Sequence, residues 1–375
     1  MYIYEYQEVP NEIADYIKEN KSLHKYFKED WGKVKTKQYC GIISIENKDY
    51  FIIPKISNKD ETNLNIFMYM LMYSYDIKLE NEQLASCQNH KHNFIEVFIQ
   101  MLAANLLKEL KKGIYKEYIT QQDNLTTLKG KYLVNENLKY NFTKSKIYCE
   151  YDEFSMNNNL NQFFLYAIKK LMKVVKDKKA LRQCELIFDE VEYRNFDIDK
   201  IDIHFNRLNI RFKNSLEFAI LLLNKYIPLF QKDKKSFAFL FDMNILFEKF
   251  VGKMIKEINP NTILQSCDNF GDLILKPDII VDDLIIDTKY KKLDIEHTVK
   301  RDDKFQMYVY GNNYKIKNTM LLYPKYKDSF DYDLTLGKNE NEISLKIKTI
   351  DLNCEDYMYC EYIKTMKKNM ENIDE

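Results

Sequence analysis

At 375 residues the chain is long enough for two or three domains of ordinary size, each with its own core. An apolar share of 45%, a charged share of 30%, 23 Phe and 29 Tyr exclude an intrinsically disordered chain, and no apolar run approaches the ~20 residues that span a bilayer. The formal net charge of zero excludes a whole-chain electrostatic affinity for nucleic acid; seven cysteines without a CxxC pair argue against a zinc ribbon or a disulfide framework, and with no leader-like N-terminus the cytoplasm is the expected compartment.

In chain order, MYIYEYQEV alternates as a short strand, and Pro10 opens a helix expected to run to about Phe27. GIISIENKDYFIIPKI gives two strands around Asn47-Lys48-Asp49, the second limited by Pro54. A helix is expected from about Asn63 to Tyr75, then a polar loop to about Asn93 carrying His90 and His92, a pair without a third ligand nearby and so not taken as a metal site. Apolar spacing from Phe94 predicts a helix to about Tyr118 with a late break at Gly113, followed by turn and strand-like material in LTTLKGKYLVNENLKYN. Residues 105–182 hold 16 Lys+Arg against 8 Asp+Glu, for which a solvated helix face is the simpler reading and a phosphate-meeting patch the alternative. Residues 159–176 read as an amphipathic helix with a basic polar face, and 214–227 and 236–258 as long apolar helices, the last closed by Asn259-Pro260-Asn261. Beyond Pro260 the pattern turns to short strands, one helix (301–314), strands at 319–323 and 343–350, and a C-terminal helix. The main boundary is expected at the polar run near 232–236.

The segment LKPDIIVDDLIIDTKYKKL at 275–293 carries the chemistry. If Asp282-Asp283 make a two-residue hairpin turn, Val281 pairs with Leu284, Ile280 with Ile285 and Ile279 with Ile286. Asp278 then faces Asp287 on one side of the sheet, and period-two alternation puts Lys289 there as well. Like charges opposed across a ladder destabilise it by roughly 0.2–1 kcal/mol, so two carboxylates among apolar neighbours call for a cation. Mg²⁺, a hard ion that takes carboxylates, water and phosphate oxygens, suits the pair, and a compact ammonium beside it can hold a water or offset charge on a phosphate. Glu248, on the helix before this sheet, could add a third carboxylate. Gln306 and Tyr310, at i and i+4 on the helix after it, share one face.

The order Asp278 … Asp287-Thr288-Lys289 … Gln306-x-x-x-Tyr310 resembles the PD-(D/E)xK nuclease motif with the Gln-x-x-x-Tyr extension of RecB-like nucleases. Over about residues 40–350 the chain resembles the McrC family more closely. Gly41 … Ile53-Pro54-Lys55-Ile56, the helix FMYMLMYSYDI, Gly113-Ile-Tyr-Lys-Glu-Tyr118, Lys129-Gly130-Lys131, YDEFSMNNNLNQFFLYAI, DMNILFEKFV, the carboxylate hairpin and Leu322-Tyr323-Pro324 follow the family's order. Lys131 departs from the frequent arginine, and the second acid is Asp287, as is usual for McrC.

The resemblance implies an α+β N-terminal and middle region followed by an α/β PD-(D/E)xK nuclease domain with a central mixed sheet flanked by helices. The expected segments are 1–60, a strand/helix/hairpin subdomain; 61–235, a mainly helical partner-binding region; and 236–375, the nuclease domain. It further implies a type IV restriction endonuclease subunit for phage defence that binds a McrB-like AAA+ GTPase hexamer, stimulates it, and cuts double-stranded DNA containing modified cytosine. Asp278, Asp287 and the backbone carbonyl of Thr288 would bind Mg²⁺, Lys289 would position water, Glu248 would assist through water as a further ligand, and Gln306 and Tyr310 would orient the site. No Walker A sequence occurs, so the chain itself is expected to bind no nucleotide. The alternatives are an autonomous RecB-like repair nuclease and a non-catalytic adaptor that only activates a motor.

Overall fold

The computed structural model describes residues 1–45, 48–77, 94–143, 145–231, 234–293, 299–353, 358–371 and 373. The chain forms two compact units, residues 1–80 together with 226–375, and residues 81–225. This division differs from three consecutive segments: the N-terminal sixty residues and the C-terminal part fall in one unit. Strand pairing is the cause. The strand Lys234–Asp242 lies antiparallel to Tyr39–Ile45, with Leu240 opposite Gly41, so two parts of the sequence far apart build one sheet.

That sheet has five strands in the order Tyr2–Tyr4, Lys48–Ile53, Tyr39–Ile45, Lys234–Asp242, Tyr226–Gln231, the first pair parallel and the rest antiparallel. The stretch 236–242, expected as helix, is strand. SFAFLFD alternates, sending Ala238 and Leu240 into a core with Ile13, Ile17, Leu23, Phe27 and Ile43, while Phe239 and Phe241 are buried on the other face. Asp242 then caps the following helix, Met243–Ile258, by accepting from the Asn244 amide. Gly41 is required by the close approach of these strands: a Cβ there would lie 1.9 Å from the Phe239 carbonyl oxygen, and its φ is +152°.

The helix opened by Pro10 spans only Asn11–Glu19; a 3-10 turn at Lys21–Tyr26 and an unexpected hairpin, Phe27–Asp30 with Lys33–Thr36, follow it. The turn around Asn47 and the loop with His90 and His92 lie outside the described residues, apart from Lys48 and Asp49.

The second sheet of this unit is mixed, with six strands in the order Ile263–Leu264, Ile279–Val281, Leu284–Thr288, Asn318–Pro324, Ile343–Ile350, Asp331–Leu336. Its three middle strands, 284–288, 318–324 and 343–350, run parallel. Helix Arg301–Tyr314 makes the crossover between the first two, which a parallel pair needs. Met307 and Tyr310 of that helix pack on Ile285, Leu321, Tyr323, Leu345 and Ile347. Against the opposite face lies helix 243–258, where a Cβ at Gly252 would sit 3.8 Å from Ile279. Covered on both faces, the strand LIIDT is buried at four consecutive positions, which is why it reads as an apolar run.

The other unit combines helices Phe94–Lys111, Asn159–Leu171, Lys179–Ile187 and Lys213–Lys225 with a three-stranded sheet, Glu117–Leu125, Ile147–Ser155 and Lys131–Tyr132. The first helix ends before Gly113 and not near Tyr118; residues 117–125 are strand. Gly130, at φ +72°, lets the chain pass 2.3 Å (measured from an added Cβ) from the Glu150 carbonyl oxygen. Among the described residues no helix is long and apolar enough to cross a membrane.

Candidate active site

The hairpin at 279–288 has the expected register: Ile279 faces Ile286, Ile280 faces Ile285 and Val281 faces Leu284. Asp282 takes a left-handed φ of +48°, as a two-residue hairpin turn demands of its first central residue. Its carboxylate accepts from Asn259 Nδ2 at 2.7 Å, tying the turn to the end of helix 243–258.

Two carboxylates stand at the open end of this hairpin. Asp278 Oδ2 accepts from both the amide and the hydroxyl of Thr288, each at 2.8 Å. Asp287 is 1% exposed, and its Oδ2 lies 2.5 Å from Lys289 Nζ. Burial pushes the Asp287 carboxyl up to about 7, the Asp278 charge adds to the rise, and Lys289 opposes it. For Lys289, burial works against the ammonium, but Asp287, Asp303 and Asp278 outweigh it and hold its pKa above the ordinary lysine value.

The ammonium is also tied to the crossover helix. Lys289 Nζ donates to Gln306 Oε1 at 2.9 Å, Gln306 Nε2 donates to the Tyr310 hydroxyl at 2.9 Å, and that hydroxyl donates to the Lys276 carbonyl at 2.9 Å. Asp287, Lys289, Gln306 and Tyr310 thus form one connected chain that returns to the residue two places before Asp278. An ammonium has three protons to place and a carboxamide has a fixed donor and acceptor end, so each link sets the next.

Glu248 sits on the other side of the hairpin mouth. It accepts from Gln265 Nε2, and burial followed by the nearby Asp278 charge raises its carboxyl pKa. Glu248, Gln265 and Asp278 line one groove of about 440 Å³, whose wall includes Lys249, Lys253 and Lys256. The structure therefore brings Asp278 beside both Asp287 and Glu248. Among the described residues, no three His, Cys, Asp or Glu side chains converge as a metal-holding group.

Donor chemistry still fits a hard divalent ion. Two carboxylates and a main-chain carbonyl are all oxygen, Mg²⁺ keeps several waters and needs few protein ligands, and the buried Asp287 Oδ2 meets only the Lys289 ammonium. Gln265 and the Lys276 carbonyl are site contacts that the sequence did not single out. Asp303, which pairs with Lys291, was missed as well. Its place at the start of the crossover helix is the signal that could have found it.

The basic stretch 105–182 lies in the other unit, and three of its cations are matched by nearby carboxylates: Lys129 pairs with Glu153, Lys131 with Glu150 and Lys169 with Glu185.

The fold and this centre define a mixed α/β protein with an acid–acid–lysine cluster at the mouth of a half-parallel sheet. Compared with known families, the chain belongs to the one described as McrBC 5-methylcytosine restriction system component, matched over residues 34–324. Among solved structures, a chain in the refined half-complex from the tetradecameric assembly of Thermococcus gammatolerans McrB AAA+ hexamers with bound McrC is similar in fold, with a TM-score of 0.64 at 20% identity over 100% of this chain and 99% of that one. A chain of the cryo-EM structure of the Thermococcus gammatolerans McrBC complex is similar over 68% of this chain and 86% of that one, with a TM-score of 0.52 at 23% identity. A comparison with curated proteins gave no match.

Proposed function

We propose that this restriction-system component is its nuclease subunit, a PD-(D/E)xK-type enzyme that hydrolyses duplex DNA containing modified cytosine under the control of a McrB-like AAA+ GTPase hexamer. The connected chain Asp287–Lys289–Gln306–Tyr310 beside Asp278 carries the reading. A network confined to structural use would not need two like charges in a buried hairpin mouth. The similar structure of McrB AAA+ hexamers with bound McrC, together with the similar McrBC complex, supports the partner.

Asp278, Asp287 and the main-chain carbonyl of Thr288 would hold Mg²⁺, which when bound supplies Lewis-acid polarisation of the phosphate and offsets its charge. Lys289 orients the attacking water and stabilises charge on the phosphorane-like transition state. Gln306 and Tyr310 fix the direction of that ammonium. Glu248 stands beside Asp278 to order water. Water adds to phosphorus, the bond from phosphorus to O3′ breaks, and the departing oxygen takes a proton, leaving a 3′-hydroxyl and a 5′-phosphate. No nucleotide site is assigned to this chain; GTP hydrolysis belongs to the partner.

The test is Mg²⁺-dependent cleavage of methylated and unmethylated duplexes, with and without the GTPase. Asp287→Ala and Lys289→Ala should abolish cutting while leaving partner binding and GTPase stimulation intact. Full cutting by Asp287→Ala would end the proposal. Efficient cutting of unmodified DNA without any GTPase would turn it into an autonomous RecB-like nuclease, and wild-type GTPase stimulation without cleavage would turn it into an adaptor.

A further inference from the structure

Period-two alternation at the end of strand 284–288 sends Lys289 to the face of helix 301–314 and Tyr290 to the opposite face. Tyr290 is 1% exposed, and its ring lies 5.9 Å from that of Phe247, the neighbour of Glu248. Its hydroxyl donates to Glu5 Oε1 at 2.9 Å. Glu5 is itself buried, immediately after the first strand of the five-stranded sheet. Its amide donates to the Ile53 carbonyl at 3.1 Å, and the same Oε1 accepts from the Lys55 amide at 3.2 Å. The Ile53-Pro54-Lys55-Ile56 segment, which the nuclease chemistry leaves unused, is thus what seats Glu5.

A buried carboxylate is a costly way to hold a tyrosine, since an apolar pair of the same shape would pack without desolvating a charge. Glu5 Oε2, moreover, is buried without a hydrogen-bond partner. The arrangement needs a benefit beyond packing, and the place where Tyr290 joins the chain supplies one. We infer that Glu5 and Tyr290 are a positioning pair: they clamp the backbone just past Lys289 from one face of the sheet, while Gln306 holds the ammonium from the other. Lys289 lies beyond the last strand residue, its amide bonded to the Leu322 carbonyl at 2.9 Å, so its side chain is aimed only as well as the turn that follows is fixed. The N-terminal strand thereby completes a centre some 285 residues away in sequence.

The inference rests on the nuclease reading above, and the experiment separates the two. Full-length wild-type protein with its GTPase partner is compared with Tyr290→Phe, Glu5→Ala, Glu5→Gln, Glu5→Ala/Tyr290→Phe and Lys289→Ala, measuring kcat, KM for DNA and melting temperature. Tyr290→Phe and Glu5→Ala should each lower kcat by about 10–100-fold, the usual effect of losing an outer partner of a reactive group, with KM unchanged. Glu5→Gln, whose amide oxygen accepts the same bond, should recover most of the rate. The double variant should be no slower than either single one, because both remove one interaction. Near-wild-type kcat in Tyr290→Phe and Glu5→Ala, or a loss that follows melting temperature alone, would overturn the positioning role while Lys289→Ala still abolishes cutting. Equal cutting by wild type and Lys289→Ala would instead overturn the nuclease reading and this inference with it.

Discussion

Lys289 shows how few degrees of freedom the centre leaves to a flexible side chain. Its ammonium is shared between a carboxylate and a carboxamide, and the carboxamide is in turn oriented by a phenol whose own proton is committed to a main-chain carbonyl. Tyr310→Phe removes that phenol while keeping the ring in its core. The Lys276 carbonyl and one Gln306 proton then lose partners, so unfolding by urea should show a loss of about 1–2 kcal/mol, within the range for an unsatisfied buried polar group. Cutting should slow more than stability alone explains, because Gln306 can rotate; an unchanged rate would show that the ammonium is aimed by Asp287 without help. Glu5 gives a pH signature of a different kind. Burial pushes its carboxyl up to about 7 from an ordinary 4.5, against the hydrogen bonds from Tyr290 and the Lys55 amide. Between those values the folded state carries a proton that the unfolded chain has released, so this group's contribution to stability is full below pH 4.5 and is lost as pH rises through 7. Glu5→Gln removes the dependence. The stability of wild type minus that of the variant, measured by denaturant titration, should therefore fall from pH 5 to pH 8, and a flat difference would contradict the raised carboxyl.

The elements around the centre were legible in the sequence where their pattern was local. A turn of two aspartates between two apolar triplets fixes its own register, and the hairpin at 279–288 follows it residue for residue. The crossover helix 301–314 was equally plain. SFAFLFD was not: a continuous apolar run fits a buried strand and a buried helix alike, and here pairing with residues 39–45 on one side and 226–231 on the other decides for strand. Residues 117–125 were missed for the opposite reason. EYITQQDNL has almost no apolar signal, and its pairing with 147–155 supplies the structure. Gly41 marks where the unexpected strand approaches. Gly41→Ala would drive a Cβ into the Phe239 carbonyl at 1.9 Å with φ at +152°, and backbone cannot yield as a side-chain tip can. Loss of the folded protein, or a fall in melting temperature of several degrees, is expected in thermal scans. An Ala variant as stable as wild type would mean that the two strands do not meet there.

At the scale of the molecule, the sequence marked where the candidate site lies but not what supports it, because nothing local in residues 1–60 shows that they share a sheet with residues near 240. A fragment of residues 236–375 contains every acid, Lys289, Gln306 and Tyr310, and the sequence alone would present it as a self-sufficient nuclease domain. The structure argues otherwise. Strand 234–242 would lose both neighbouring strands, exposing Phe239, Leu240 and Phe241, each nearly solvent-free in the intact chain. Helix 243–258 would lose the helix Asp60–Ser74, against which Phe250 packs through Tyr73. Tyr290 would lose Glu5, the carboxyl that accepts from its buried hydroxyl. Burial of each large side chain is worth roughly 1.5–3 kcal/mol, so these losses together approach the whole stability of an ordinary domain. The fragment should therefore be expressed as an aggregating or unfolded chain, by circular dichroism and amide exchange, and should not cut. Supplying residues 1–80 as a separate chain should restore protection to the amides of residues 237–242 before it restores any cleavage; a fragment that folds and cuts alone would show that the hairpin centre stands without the N-terminal sheet.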